Sequence, residues 1–284
     1  MRIPIAAAIG LFFTALYFLM AILAPLIAPY GYAEIVGGVW EPSRIGYLLG
    51  LAPADVPEPD YWLGTDSIGR DLLSRMIYGG RTTIFIATMA TILSFVTGSV
   101  LGFLAAVLGG WADQLLSRFV DLLMSIPTLI FARVVLSVMP VTIPVLILVM
   151  GLLDSTRVYR LARAVAVDIN VMDFVEAAKL RGEGRGWIIF REILPNALSP
   201  LVAEMGLRFI FAVLFVSTLS FLGLGVQPPQ ADWGGIVKEN AEGIVYGIGA
   251  ALYPAVAIAT LAISVNLVAD WVLNRTTSLK GGRG

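Results

Sequence analysis

The chain has 284 residues, of which 58% are hydrophobic and only 14% charged. A typical soluble domain carries about a quarter charged residues, so a polytopic membrane protein is indicated if the apolar residues fall in several long runs. The net charge of −1 gives no basis for nucleic-acid binding. The lack of Cys and His removes disulfides, thiol nucleophiles, imidazole bases and the usual zinc or copper ligands.

The first apolar run is Ile3 to Ala28, preceded only by Arg2. It exceeds the roughly 7–15 residues of a signal-peptide core, so it reads as a retained helix, residues 1–28. Residues 29–82 form a polar connection punctuated by Pro29, Pro42, Pro53, Pro57 and Pro59. Between 29 and 69 it holds six acids (Glu34, Glu41, Asp55, Glu58, Asp60, Asp66) and one base, Arg44. Its end, Asp71 to Tyr78, reads as a short amphipathic helix with Leu72, Leu73, Met76 and Ile77 on one face.

Five further apolar segments run from Thr83 to Leu108, Leu115 to Met139, Ile143 to Val158, Ser199 to Leu224 and Gly249 to Leu273. The third can continue to Ala166. A helix of about 20 residues spans the bilayer core, so six helices are expected, with a five-helix core over 83–273 and a tail over 274–284. Gly98, Gly102 and Ala106 form a small-residue stripe that allows close helix packing. Seven bases lie between Arg157 and Arg191 and more in the tail, but only Lys238 in the 225–248 loop. This asymmetry puts the 157–198 segment and both termini in the cytoplasm.

The cytoplasmic loop 167–195 is the most informative stretch. Asn170 can cap a helix with Asp173 as its reciprocal partner, Val171, Phe174, Val175 and Ala178 recur on one face, and Gly182 supplies the stop. Gly184 and Gly186 permit a reversal, and Trp187 to Phe190 form a second apolar patch. Pro195 and Ser199-Pro200 restart the chain as a membrane helix. The apolar face of the short helix must be buried, either against the chain's own membrane helices or against a soluble partner.

Glu176-Ala177-Ala178, Gly182 and Leu194-Pro195 resemble the EAA loop of the permeases of binding-protein-dependent ABC importers. Leu63-Gly64-Thr65-Asp66, Gly69-Arg70-Asp71 and Leu73-Ser74-Arg75 extend the resemblance to the dipeptide/oligopeptide/nickel group, the C-type permease of each pair. So do Val120-Asp121 with Ser125-Ile126-Pro127, Ile193 to Ala197, and Ser220 to Pro229 followed by Trp233-Gly234. The resemblance implies an all-α, six-span permease of the type I fold, beside a homologous second permease. Two ATP-binding subunits would hold ATP and Mg, and an extracytoplasmic binding protein would deliver peptides or similar small solutes. It makes the loop a coupling helix for the ATP-binding subunit, with Asp173, Glu176, Ala177, Ala178, Gly182, Leu194 and Pro195 as the site. No phosphate-cradling Gly-x-x-x-x-Gly-Lys-Ser/Thr occurs, so no ATPase site is expected in the chain itself; with ATP and Mg assigned to the partner subunits by the resemblance, no cofactor is expected in it either.

Two departures stand out. The tail Asn274 to Ser278 lacks the Leu-Asp-Pro-Arg ending of many members, and Arg133 and Asp154 put charge into apolar segments. An ionisable group at helix centre costs about 2.5–3.5 kcal/mol on insertion scales. Glu204 and Arg208 are four apart and expected to pair on one helix, and both count with Arg133 and Asp154 as candidates for the translocation path. Arg133 and Asp154 are expected to pair with each other or to line the path. The alternatives are an ion-gradient-driven secondary transporter, which would show inverted repeats, and an intramembrane enzyme, which would show convergent catalytic groups. Neither pattern is visible.

Overall fold

A computed structural model describes residues 4–49 and 58–281. Arg2, Ile3, Pro53, Asp55, Pro57 and Arg283 lie outside the described residues, as do the side chains of Arg275 and Lys280. The described residues form helices with no strand among them, joined by turns and two isolated bridges, Ile35–Arg70 and Thr65–Asp71. In chain order the helices are α1 Ile5–Ile27, α2 Arg44–Leu48, α3 Leu72–Leu108, α4 Gly110–Ser125, α5 Thr128–Val138, α6 Ile143–Asn170, α7 Asp173–Leu180, α8 Arg185–Trp187, α9 Leu194–Phe221, α10 Trp233–Asn240 and α11 Leu252–Gly281. The chain forms two compact units. The first contains residues 1–87, 140–146 and 213–265; the second contains 88–139, 147–212 and 266–284.

Helices α1 and α3, the run Arg185–Phe221 and the run Gly249–Asn274 are long and apolar enough to cross a bilayer. The α4–α5 pair makes a fifth crossing if its two arms are one span. Its break falls at Ser125-Ile126-Pro127, where the arms bend by 85°. Ile126 is extended because the proline ring disfavours helical backbone in the residue before it. The expected count of six is not reached by length and apolarity, because α6 carries Asp154, Arg157, Arg160 and Arg163 along its middle.

Three boundaries differ from expectation. The amphipathic helix at 71–78 and the following span are one helix, α3, which starts at Leu72 rather than Thr83. Gly79-Gly80 does not break it, because there the helix meets α10. A Cβ on Gly79 would lie 2.9 Å from Ile236 Cδ1, and one on Gly80 would lie 2.8 Å from the Trp233 ring. The Asp71 carboxylate starts α3 by accepting from the Ser74 N–H at 2.7 Å and its hydroxyl at 2.6 Å. The segment expected to end at Val158 continues as α6 to Asn170. The fifth span does not restart at Ser199-Pro200: the chain is already helical from Arg185, through a π-helical turn at Ile188–Ile193, with Pro200 inside α9.

Within the first unit, α10 is fixed at its start by two contacts. Asp232 caps it, accepting from the N–H groups of Gly234 at 3.1 Å and Gly235 at 3.3 Å. Burial pushes this carboxyl up to about 6, against the hydrogen bonds it accepts. Trp233 is fully buried and donates its indole N–H to the Met76 carbonyl at 2.9 Å.

Within the second unit, the small-residue stripe brings α3 onto α6. A Cβ on Gly98 would lie 2.6 Å from the Ser155 carbonyl oxygen, and one on Gly102 would lie 2.8 Å from the Tyr159 carbonyl oxygen and the Arg163 nitrogen. These neighbours are backbone and cannot rotate away. Gly102→Leu is therefore expected to cost at least the 1–3 kcal/mol typical of overpacking, roughly. It should lower the melting temperature of the detergent-purified chain, whereas Gln114→Leu at an exposed position of α4 should leave it within about a degree of wild type.

Candidate functional site

The loop after α6 is built on the second unit. α7 begins after Met172, which caps it with backbone geometry only, so the expected Asn170 side-chain cap does not form. Asn170 instead ends α6 and donates its side-chain amide to the Ala106 carbonyl at 3.3 Å. The helix stops at a Schellman turn. Gly182 adopts φ +83°, its N–H bonds the Lys179 carbonyl at 3.0 Å, and the Glu183 N–H bonds the Ala178 carbonyl at 3.2 Å. A Cβ at Gly182 would touch nothing, so the positive φ alone calls for glycine there. Gly184 and Gly186 are not needed for the reversal, as both have ordinary negative φ.

The question of which surface buries the apolar face of α7 has a divided answer. Val175 and Ala178 are fully buried, and Val175 joins a core with Phe103, Ala166, Ile169, Ile188, Ile189 and Ile193. Val171, Phe174 and Leu180 point outward, Leu180 at 84% exposure. Asp173, Glu176, Ala177 and Gly182 are also exposed. Leu194 packs against the same core at its edge, and Pro195 is exposed. One side of α7 is therefore anchored to the chain, and the other offers two acids, a small alanine and the large apolar side chains of Phe174 and Leu180, with Val171 just before it.

The charges on the longer helices assemble differently from expectation. Arg208 donates to Glu204 from Nε at 2.8 Å, the pair expected from their spacing. Arg208 also reaches Asp154 at 3.6 Å, and Arg157 reaches the same Asp154 oxygen at 3.4 Å. Asp154 thus pairs with Arg208 and Arg157, not with Arg133. Arg133 is exposed on α5 and takes part in no ion pair among the described residues. The reason is register: Arg208 and Arg157 already occupy the carboxylate, one across the α6–α9 contact and one a turn along α6. A further pair, Asp113–Arg163, is bidentate and joins α4 to α6.

A second constellation lies in the first unit. Asp66 is wholly buried and accepts from Arg70 Nε at 2.6 Å, Arg75 Nη1 at 2.9 Å, and the N–H groups of Ile68 and Arg70 at 3.0 and 2.9 Å. Arg70 and Arg75 both continue to Glu239 on α10, at 2.6 and 2.8 Å. Burial pushes the Glu239 carboxyl above its ordinary value, with the charge of Arg70 opposing. Beside the cluster, the Asn240 side-chain oxygen accepts from the Ser67 N–H at 3.0 Å and the Trp40 indole at 3.2 Å. Two guanidinia and two carboxylates thereby tie the turn before α3 to α10.

Residues 98–278, which include α6, α7, α9 and most of α11, match the family described as the binding-protein-dependent transport system inner membrane component. The chain belongs to this family. It is a transport component of a multi-subunit system, carried in the inner membrane. It is 34% identical over 265 residues to the dipeptide transport system permease protein DppC of Haemophilus influenzae, covering 93% of this chain and 87% of the relative. It is 30% identical over 264 residues to the DppC of Alkalihalophilus pseudofirmus, covering 93% and 83%. The permease family match begins after the Asp66–Arg75 segment, while the two longer alignments take in nearly the whole chain. Sequence reading found Asp66, Arg70 and Arg75 only as a motif. The i, i+4 spacing of Asp66 and Arg70 signals one pair, but nothing local signals Glu239, which lies 169 residues from Arg70.

Proposed function

We propose that this chain is the permease subunit of an ATP-binding cassette importer for peptides or similar small solutes, and that α7 is its coupling helix. The observation that carries the proposal is the divided surface of α7. Val175 and Ala178 fix it to the chain, and Asp173, Glu176, Ala177 and Gly182 are left for a partner. In this reading two ATP-binding subunits hold ATP and Mg and receive α7, a second homologous permease completes the path, and an extracytoplasmic binding protein docks on the opposite side. The 157–198 segment and both termini face the cytoplasm, and the 29–71 connection with α10 faces outward, in keeping with the bias of the basic residues. ATP-driven closure of the partner subunits moves α7 and switches the path between two states. The dipeptide systems to which the relatives belong support peptides as the substrate class. Glu204, Arg208 and Asp154 form a charged group that is proposed to border the path, and Arg133 is proposed to sit at its edge.

Uptake of a labelled dipeptide into vesicles holding the assembled transporter and its binding protein tests the proposal. Uptake should require ATP and survive collapse of the ion gradients. Uptake that follows the gradient without ATP would make this a secondary transporter. The orientation has its own check: a reporter inserted after Gly184 should read cytoplasmic, and one after Gly247, an exposed turn residue, should read external.

A further inference from the structure

In the second unit a groove of 450 Å³ runs between α3 and the helix that begins at Arg185. Its walls are apolar almost throughout, and Val96, Val100, Leu198 and Val202 line it while remaining about half-exposed. Its one charged lining residue is Arg185, placed at one end beside Phe190. Arg185 is exposed and takes part in none of the ion pairs among the described residues. Along α9 the lining runs from Leu194 to Met205, and along α3 from Phe95 to Leu104. At 1.5 Å per residue the α3 wall is roughly 14 Å long and the wall from Arg185 to Met205 roughly 30 Å, long enough for an acyl chain to lie along it.

An apolar trough with a single guanidinium at its end, in no ion pair among the described residues, is complementary to an amphiphile with an anionic head. A helix from another subunit would need a carboxylate of its own at that end to satisfy Arg185, and such a helix is one outcome of the test below. A phospholipid answers it with a phosphate, to which a guanidinium binds bidentately. We propose that this groove binds the acyl chain of an anionic phospholipid, with Arg185 holding the headgroup. Arg185 and Phe190 lie on the segment that follows the Gly182 turn and packs under α7, so the lipid would brace the base of the coupling loop.

The chain has no cysteine, so a single Val202→Cys substitution gives one site for a fluorophore within it, about two turns along α9 from Leu194. The labelled chain, assembled with partner subunits whose cysteines have been replaced, is reconstituted with phosphatidylglycerol or phosphatidylcholine brominated on the acyl chains. Quenching should favour the anionic lipid about fivefold, the preference one arginine near an anionic headgroup supplies. Arg185→Gln, at an exposed side chain that takes part in no ion pair among the described residues, should abolish the preference. Equal quenching by both lipids would mean ordinary bulk lipid and overturn the proposal. So would a preference that survives Arg185→Gln, and so would protection from both lipids, which would place the second permease in the groove.

Discussion

Asp66→Ala is expected to remove most of the folded chain. The carboxylate is wholly buried and holds Arg70 and Arg75 together, so its loss leaves two guanidinia facing Glu239 alone. Removing one partner from a buried ion pair costs about 3–5 kcal/mol, a large share of the roughly 5–15 kcal/mol that keeps a domain folded. The amount of monodisperse protein extracted in detergent, and its melting temperature, give the measurement. Glu239→Gln should be milder: Glu239 is partly exposed, and the amide oxygen still accepts one hydrogen bond. The order of severity is the informative result. If Asp66→Ala melts with wild type, the cluster does not hold the turn before α3 to α10.

The second large effect is expected without any loss of folded protein. Glu176 is exposed in the first turn of α7, and its side chain takes part in no ion pair among the described residues. Glu176→Lys should therefore insert and melt as wild type. Yet it should weaken binding of the ATP-binding subunit about tenfold or more, since a reversed charge at a contact replaces attraction with repulsion. Gly182→Val should reach a similar loss of coupling by a different route. A β-branched residue at φ +83° is strained, so the Schellman turn opens and α7 loses its stop. Co-purification and substrate-stimulated ATPase of the assembled complex measure both. Normal stimulation in both variants would remove α7 from the coupling role.

The elements that the sequence disclosed best were those governed by local rules. The long apolar runs located α1, α3, α9 and α11, and the glycine stop of α7 is where a left-handed residue is needed. What escaped was set by distant neighbours. Gly79-Gly80 looks like a break, yet α3 passes straight through it, because the missing side chains make room for Ile236 and Trp233. Asn170 has the chemistry of an N-cap, but the carbonyl of Ala106 claims its side chain and α6 keeps it as a last residue. Asp154 finds Arg208 rather than Arg133 because helix register, invisible in composition, decides which cation arrives first. The coupling residues were legible as a motif, but the split of α7 into an anchored and an open side appears only once Ile169, Ile188 and Ile193 are seen beneath Val175.

The contact of Gly98 and Gly102 with α6 has a mechanical consequence. Where side chains interlock, two helices behave like meshed gears and must disengage before they move. Here the two glycines are notches, and the Val158 and Ala162 Cβ atoms of α6 press into them beside the Ser155 and Tyr159 carbonyls. The seam is therefore meshed at those two points and resists both compression and axial sliding. A push delivered through α7 to the end of α6 would then be handed on to this part of α3, the two rods moving as one piece.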